Sequence, residues 1–166
     1  MRLVKAYAGI GSRETPDPIL DYMKNVAVLL ANNGYLLRSG GAKGADSAFE
    51  EGCDRVKGKK EIFYPERATD AAIKLASDLH PAWHRCSSYA RKLHGRNVQI
   101  IKGRYYPRKI HSVKFVVCWQ DPNKKFGGTR MGMSVAERFG IDVWNLAIVE
   151  LREAFEHHII NKLGKV

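Results

Sequence analysis

Three short stretches of this sequence combine glycine with hydroxyl and cationic side chains, a mixture suited to holding a phosphate group. The first is Gly9-Ile10-Gly11-Ser12-Arg13. Glycine lets a backbone pass close to an oxyanion, Ser12 can donate a hydrogen bond, and Arg13 can form a bidentate pair. The second, Ser39-Gly40-Gly41-Ala42-Lys43-Gly44-Ala45-Asp46, offers flexible backbone, a hydroxyl and one lysine. The third is Gly127-Gly128-Thr129-Arg130, where Thr129 and the neighbouring amides could hold a second anionic or sugar group. The first loop is not a full G-x-G-x-x-G, and the second lacks the G-x-x-x-x-G-K-[ST] order of a P-loop. Nucleotide binding is therefore expected, and ATP hydrolysis is not. The first two loops also have a plainer use: Arg13 as a solvated turn residue, and Asp46 as a helix cap, the commoner role for an aspartate there.

The elements around these loops decide whether they can act together. Leu3–Ile10 reads as a buried strand ending in the first loop, and Asp17 to Asn33 as a helix closed by Gly34. Tyr35–Arg38 is a short strand running into the second loop, with a helix after it. Glu61–Tyr64 is a third strand stopped by Pro65, and Ala68–His80 a helix. Pro81 to Lys102 reads equally as one helix or two short ones. Val113–Trp119 is the continuous apolar run of a strand covered on both faces and leads into the third loop. Met131 to Phe139 is helical, Ile141–Ile148 a fifth strand, and a last helix starts near Glu150. This alternation predicts one α/β domain over residues 1–166, Rossmann-like, with a mainly parallel sheet of about five strands and right-handed crossovers. In such a sheet ligands bind at the carboxyl ends of the strands, beside helix N-termini.

Composition narrows the partners. Lys and Arg outnumber Asp and Glu by 28 to 17, a net charge of +11 that favours an anionic partner or simply a basic, soluble surface. An apolar fraction of 45% supports a real core. No apolar run approaches the roughly 18 residues of a membrane span, and the start of the chain lacks the look of a signal peptide, so a cytoplasmic location is expected. Cys53, Cys86 and Cys118 show no CxxC spacing, which predicts core or incidental thiols. His80, His84, His94 and His111 lack an acidic or cysteine partner at zincin-like spacing, so neither a metal nor another cofactor is expected. No G-x-S-x-G or comparable nucleophile motif supports acyl transfer.

The segments Ala8-Gly9-Ile10-Gly11-Ser12-Arg13, Arg38 through Asp46, and Gly127-Gly128-Thr129 resemble the Rossmann-like SLOG superfamily. The likeness is to its DprA-like branch, including compact phage-type proteins, and extends from about Leu3 to Leu146. It implies a nucleotide, a nucleotide-derived signal or single-stranded DNA as ligand, and a homo-oligomer. The related LOG phosphoribohydrolases carry Pro-Gly-Gly-x-Gly-Thr-x-x-Glu, whereas Arg130, Met131 and Gly132 follow Thr129 here, and the assisting glutamate is missing. N-glycosidic hydrolysis of a nucleoside monophosphate is thus the second reading, with Glu14, Asp46 or Glu50 as substitute carboxylates. Full DprA proteins have further domains, and the sequence has room only for the core.

Outside the loops, Arg91, Lys92, His94, Arg96 and Asn97, then Arg104 through Lys109, mix cations with aromatics, as single-stranded nucleic acid requires. A solvated helix face is the commoner use of such a run, and Arg96 and Asn97 are the part expected to reach a ligand. Trp119 and Trp144 fall in predicted strands and read as core or subunit contacts, while Trp83 is the one that could stack on a base.

Overall fold

Alternation along the first strand, β1 (Ala6–Gly11), sets the layering of the molecule. Successive side chains of a strand leave on opposite faces. Ala6, Ala8 and Ile10 accordingly enter one buried cluster with Ala72, Ala76, Val98, Ile101, Met131 and Val135. Tyr7 enters the other, with Met23, Ala27, Leu30, Phe49 and Phe155. The computed structural model describes residues 4–163, so Leu3, where the first strand was expected to begin, lies outside the described residues. The remaining strands are β2 (Leu36–Ser39), β3 (Lys60–Ile62), β4 (Phe115–Trp119) and β5 (Asp142–Asn145). All pair in parallel in the order β3-β2-β1-β4-β5. Helices α1 (Asp17–Asn32), α2 (Ala45–Arg55) and α6 (Val149–His158) cover one face. Helices α3 (Asp70–Leu79), α4 (Ser88–Lys102) and α5 (Gly128–Arg138) cover the other. This is the α/β, Rossmann-like architecture that the apolar runs predicted, and no helix of the described residues is long and apolar enough to cross a membrane.

The open stretch before β4 resolves into a 3-10 turn, Trp83–Arg85, and a single helix, α4. Ser87 sets that start, its hydroxyl accepting a hydrogen bond from the Ala90 amide at 3.1 Å. Helix α5 begins at Gly128, three residues before the apolar periodicity that announced it, so the third glycine loop is itself the first turn.

Gly9 serves packing. A Cβ there would lie 2.6 Å from the Phe49 ring and 2.9 Å from Leu37, so its absence lets α2 settle on β1. Gly11 does the same against Ala45, at 2.5 Å.

Candidate functional site

After β1 the chain turns to α1 on one face of the sheet; after β4 it turns to α5 on the other. The strand order reverses between these neighbours, and a crevice opens at their carboxyl ends, where ligands of open α/β sheets bind. A cavity of about 340 Å³ occupies that crevice. Its walls are Gly11 to Glu14 after β1, Ala42 and Asp46 from the second loop, Leu93, Arg96 and Asn97 from α4, and Gln120, Lys124 and Gly127 to Thr129 after β4. The volume is at the lower end of small-ligand pockets.

A chain of hydrogen bonds ties the three loops together. The Asp46 carboxylate accepts from the Gly11 amide at 3.1 Å and from the Ala42 amide at 3.3 Å, joining the first loop to the second. Arg96 donates through Nη1 to the Gly40 carbonyl at 3.0 Å and the Phe63 carbonyl at 2.9 Å. Its Nε donates to Asn97 Oδ1 at 2.9 Å, and Asn97 Nδ2 donates to the Gly128 carbonyl at 2.9 Å, reaching the third loop. Asp46, Arg96 and Asn97 are all buried. Gly40 leaves room for this network: a Cβ there would fall 2.7 Å from Arg96 Nη1 and 2.9 Å from Asp46 Oδ2, so one of them would have to shift. A second brace holds the start of the β4 loop: the Gln120 amide donates to Asn145 Oδ1 at 3.0 Å, and Asn145 Nδ2 returns a bond to the Gln120 carbonyl at 2.9 Å.

Burial pushes the Asp46 carboxyl up to about 6, against the opposing pull of Arg96 and the backbone amides. Burial also lowers Arg96, and Asp46 partly restores it. The pocket therefore holds three cations, Arg13, Arg96 and Lys124, against two carboxyls, Glu14 and Asp46, one of them protonating close to neutrality. Helix α5 brings its N-terminus to this pocket with Gly127 as cap, which makes no side-chain cap bond, and no side chain among the described residues accepts from its first amides, so they are donors for an anion.

Of the residues singled out in the sequence, Gly11, Ser12, Arg13, Glu14, Asp46, Arg96, Asn97, Gly127, Gly128 and Thr129 line the cavity together. The others stand back from its wall. Gly9 faces Phe49, and Ser39 is buried with its hydroxyl donating to the Gly9 carbonyl at 2.6 Å. Gly40 packs against Arg96; Gly41 and Gly44 adopt φ of +71° and +91°, the turn conformations that favour glycine. Lys43 is exposed. Glu50 lies on the outer side of α2, 2.7 Å from Lys60 Nζ. Arg96 and Asn97 sit in the buried half of α4, where a solvated face was the commoner expectation.

Gln120 and Lys124 escaped the sequence reading because a polar loop without glycine carries no local signal, and Asn145 because it ends a strand, β5. Gln120 is the informative omission. It is buried, lines the pocket, and its Nε2 has no hydrogen-bond partner in the described protein. Buried polar groups rarely stay unpaired.

Fold and site together define a Rossmann-like α/β protein with a polar, cationic pocket at its topological switch point. Its fold is DprA-like: the crystal structure of DNA processing protein A (DprA) from Streptococcus pneumoniae superposes with a TM-score of 0.57 at 21% identity, covering 95% of this chain. The match takes in 56% of that longer chain. No family model matches the sequence, and no curated protein matches it either.

Proposed function

We propose that this chain is a binding module for the phosphate of a nucleotide, a nucleotide-derived signal or single-stranded DNA. The observation that carries the reading is the set of cations, Arg13, Arg96 and Lys124, around the uncapped N-terminus of α5 in one cavity. Phosphate would take the α5 amides and the Thr129 hydroxyl, with Arg13 and Lys124 neutralising it. Ser12 stands at the first loop as a further donor, and the unpaired Gln120 Nε2 is placed to meet a base or sugar oxygen. The resemblance in fold to DprA, a DNA processing protein, supports a ligand of the nucleic-acid class; a cytoplasmic setting and self-association belong to the same proposal. Light scattering of the purified chain checks the last.

The test is calorimetric titration with mononucleotides, their nucleosides, cyclic nucleotides and short single-stranded DNA. Nucleotides are expected to bind and nucleosides to fail, with the Arg13→Ala and Lys124→Ala variants each losing affinity. Equal affinity for nucleotide and nucleoside, or unchanged affinity in both variants, would overturn the phosphate assignment. A DNA complex weakens steeply with salt as counterions are released, and a mononucleotide complex does so less.

A second reading rests on Asp46, a buried carboxyl raised to about 6 in the same cavity as Glu14. A carboxyl tuned toward neutrality is suited to proton transfer at a glycosidic bond. Release of free base from mononucleotides, lost in Asp46→Asn, would put hydrolysis first.

A further inference from the structure

At the edge of the α4 layer, three side chains that the sequence keeps apart come together. His80 follows α3, Cys86 follows the Trp83–Arg85 turn, and His94 lies in α4. Their donor atoms lie within 4.8 Å of one another, and His80 Nε2 is 3.5 Å from Cys86 Sγ. His94 is only 7% exposed, and its Nδ1 has no hydrogen-bond partner among the described residues. An orphaned imidazole nitrogen buried beside a second imidazole and a thiol is unfavourable unless something accepts its lone pair or its proton.

The surroundings fit a metal ion. Phe126 covers His80 with ring centroids 3.9 Å apart and His94 at 5.8 Å, while Trp83 lies 6.0 Å and 6.1 Å from the same two rings. This apolar wall lowers the local dielectric and strengthens metal–ligand attraction. No acidic residue belongs to the cluster, and two imidazoles with one thiolate are the donors of zinc rather than of magnesium or calcium.

We propose that His80, Cys86 and His94 bind one Zn²⁺ ion, with water as the fourth ligand. Tetrahedral zinc with Zn–N and Zn–S bonds of about 2.0–2.3 Å needs two nitrogens and one sulfur roughly 3.3–3.6 Å apart. A pair at the 4.8 Å limit must therefore close by roughly 1.2–1.5 Å, within reach of side-chain rotation. His80 Nδ1 accepts from the Ala82 amide at 2.9 Å, so in the metal-free protein the ring proton sits on Nε2, facing Cys86 Sγ. When Nε2 takes the metal, that proton moves to Nδ1 and the Ala82 contact opens. The thiol proton leaves to solvent, one proton for each ion bound. The ion would fasten the 80–86 turn to α4, two residues before Arg96, under the ring of Phe126, the residue before Gly127.

The experiment uses the full chain, reduced and stripped with chelator, and titrates it with Co²⁺ and then Zn²⁺. One Co²⁺ per chain is expected, showing tetrahedral visible bands and a thiolate-to-cobalt charge-transfer band, both abolished when Zn²⁺ displaces it. Cys86→Ser and His94→Gln should each weaken binding at least about tenfold, since even changes behind the ligands cost 10–100-fold. Cys53→Ser and the double variant His157→Gln/His158→Gln should bind as the unaltered chain does. Absence of the charge-transfer band in the unaltered chain overturns the assignment without depending on any variant's folding. Affinity unchanged in a folded Cys86→Ser, or lost only with His157 and His158, overturns it as well.

Discussion

The loop after β2 and the loop that opens α5 are both glycine-rich, and both lead into a helix, yet their amides are used differently. In the first, the Asp46 carboxylate turns back onto the Gly11 and Ala42 amides, so the protein supplies its own anion. In the second, no side chain among the described residues meets the first amides of α5, and Asn97 holds the loop from behind through the Gly128 carbonyl. One loop is a structural joint, and the other keeps its amides clear of a side-chain acceptor. Glycine content alone marks both as phosphate loops. What separates them is whether a buried carboxylate lies within reach.

The sharpest way to break this comparison is Asp46→Ala. It leaves buried amides unpaired and Arg96 without its counter-charge, and should cost about 3–5 kcal/mol of stability, measured by urea unfolding. A loss below 1 kcal/mol would show that the carboxylate is not the joint. The same group predicts a pH effect. Its folded pKa, about 6, lies above its unfolded value, so the stabilisation is complete below pH 4 and is lost as the pH rises through 6. Subtracting the Asp46→Asn profile from that of the unaltered chain should expose a decline on the order of 3 kcal/mol across that window. Gly9→Ala, which drives a methyl into Phe49, should destabilise by about 1–3 kcal/mol without a specific effect on ligand affinity.

Changes at the open site should behave in the opposite way. Arg13→Ala or Lys124→Ala should cost roughly 1.5–3 kcal/mol of nucleotide binding while moving stability by less than about 0.5 kcal/mol. Thr129→Ala, the removal of one neutral hydroxyl, should cost about 1 kcal/mol of binding, read by calorimetry. Lys43→Ala serves as the contrast: from its exposed position outside the cavity wall it should leave both quantities nearly unchanged. An affinity loss with Lys43→Ala equal to that of Arg13→Ala would mean that the closed loop binds ligand after all.

Much of this arrangement was legible in the residue pattern. The continuous apolar run into Trp119 and the repeated strand, glycine loop and helix signal identify a parallel sheet, because burial on both faces leaves no polar alternation to see. Arg96 and Asn97 stood out for their chemistry, although the charge run containing them reads as solvent-facing; the burial of the second half of α4 becomes visible only once α3 and α5 pack beside it. Gln120 and Asn145 left no signal, since their pairing across 25 residues depends on β4 and β5 being neighbours. His80, Cys86 and His94 were passed over for a related reason: their spacing matches no single helix, and only the turn before α4 brings the three together.

By itself, then, the sequence determined the class of fold and the loops where chemistry could occur, because apolar periodicity and glycine placement are local properties of the chain. Which glycine loop stays open, which carboxylate fills the other, and which distant side chains share a cavity were decided by the tertiary structure. Strand order and helix packing set those distances, and hydrogen bonds and charge interactions depend on distance in space, not along the chain.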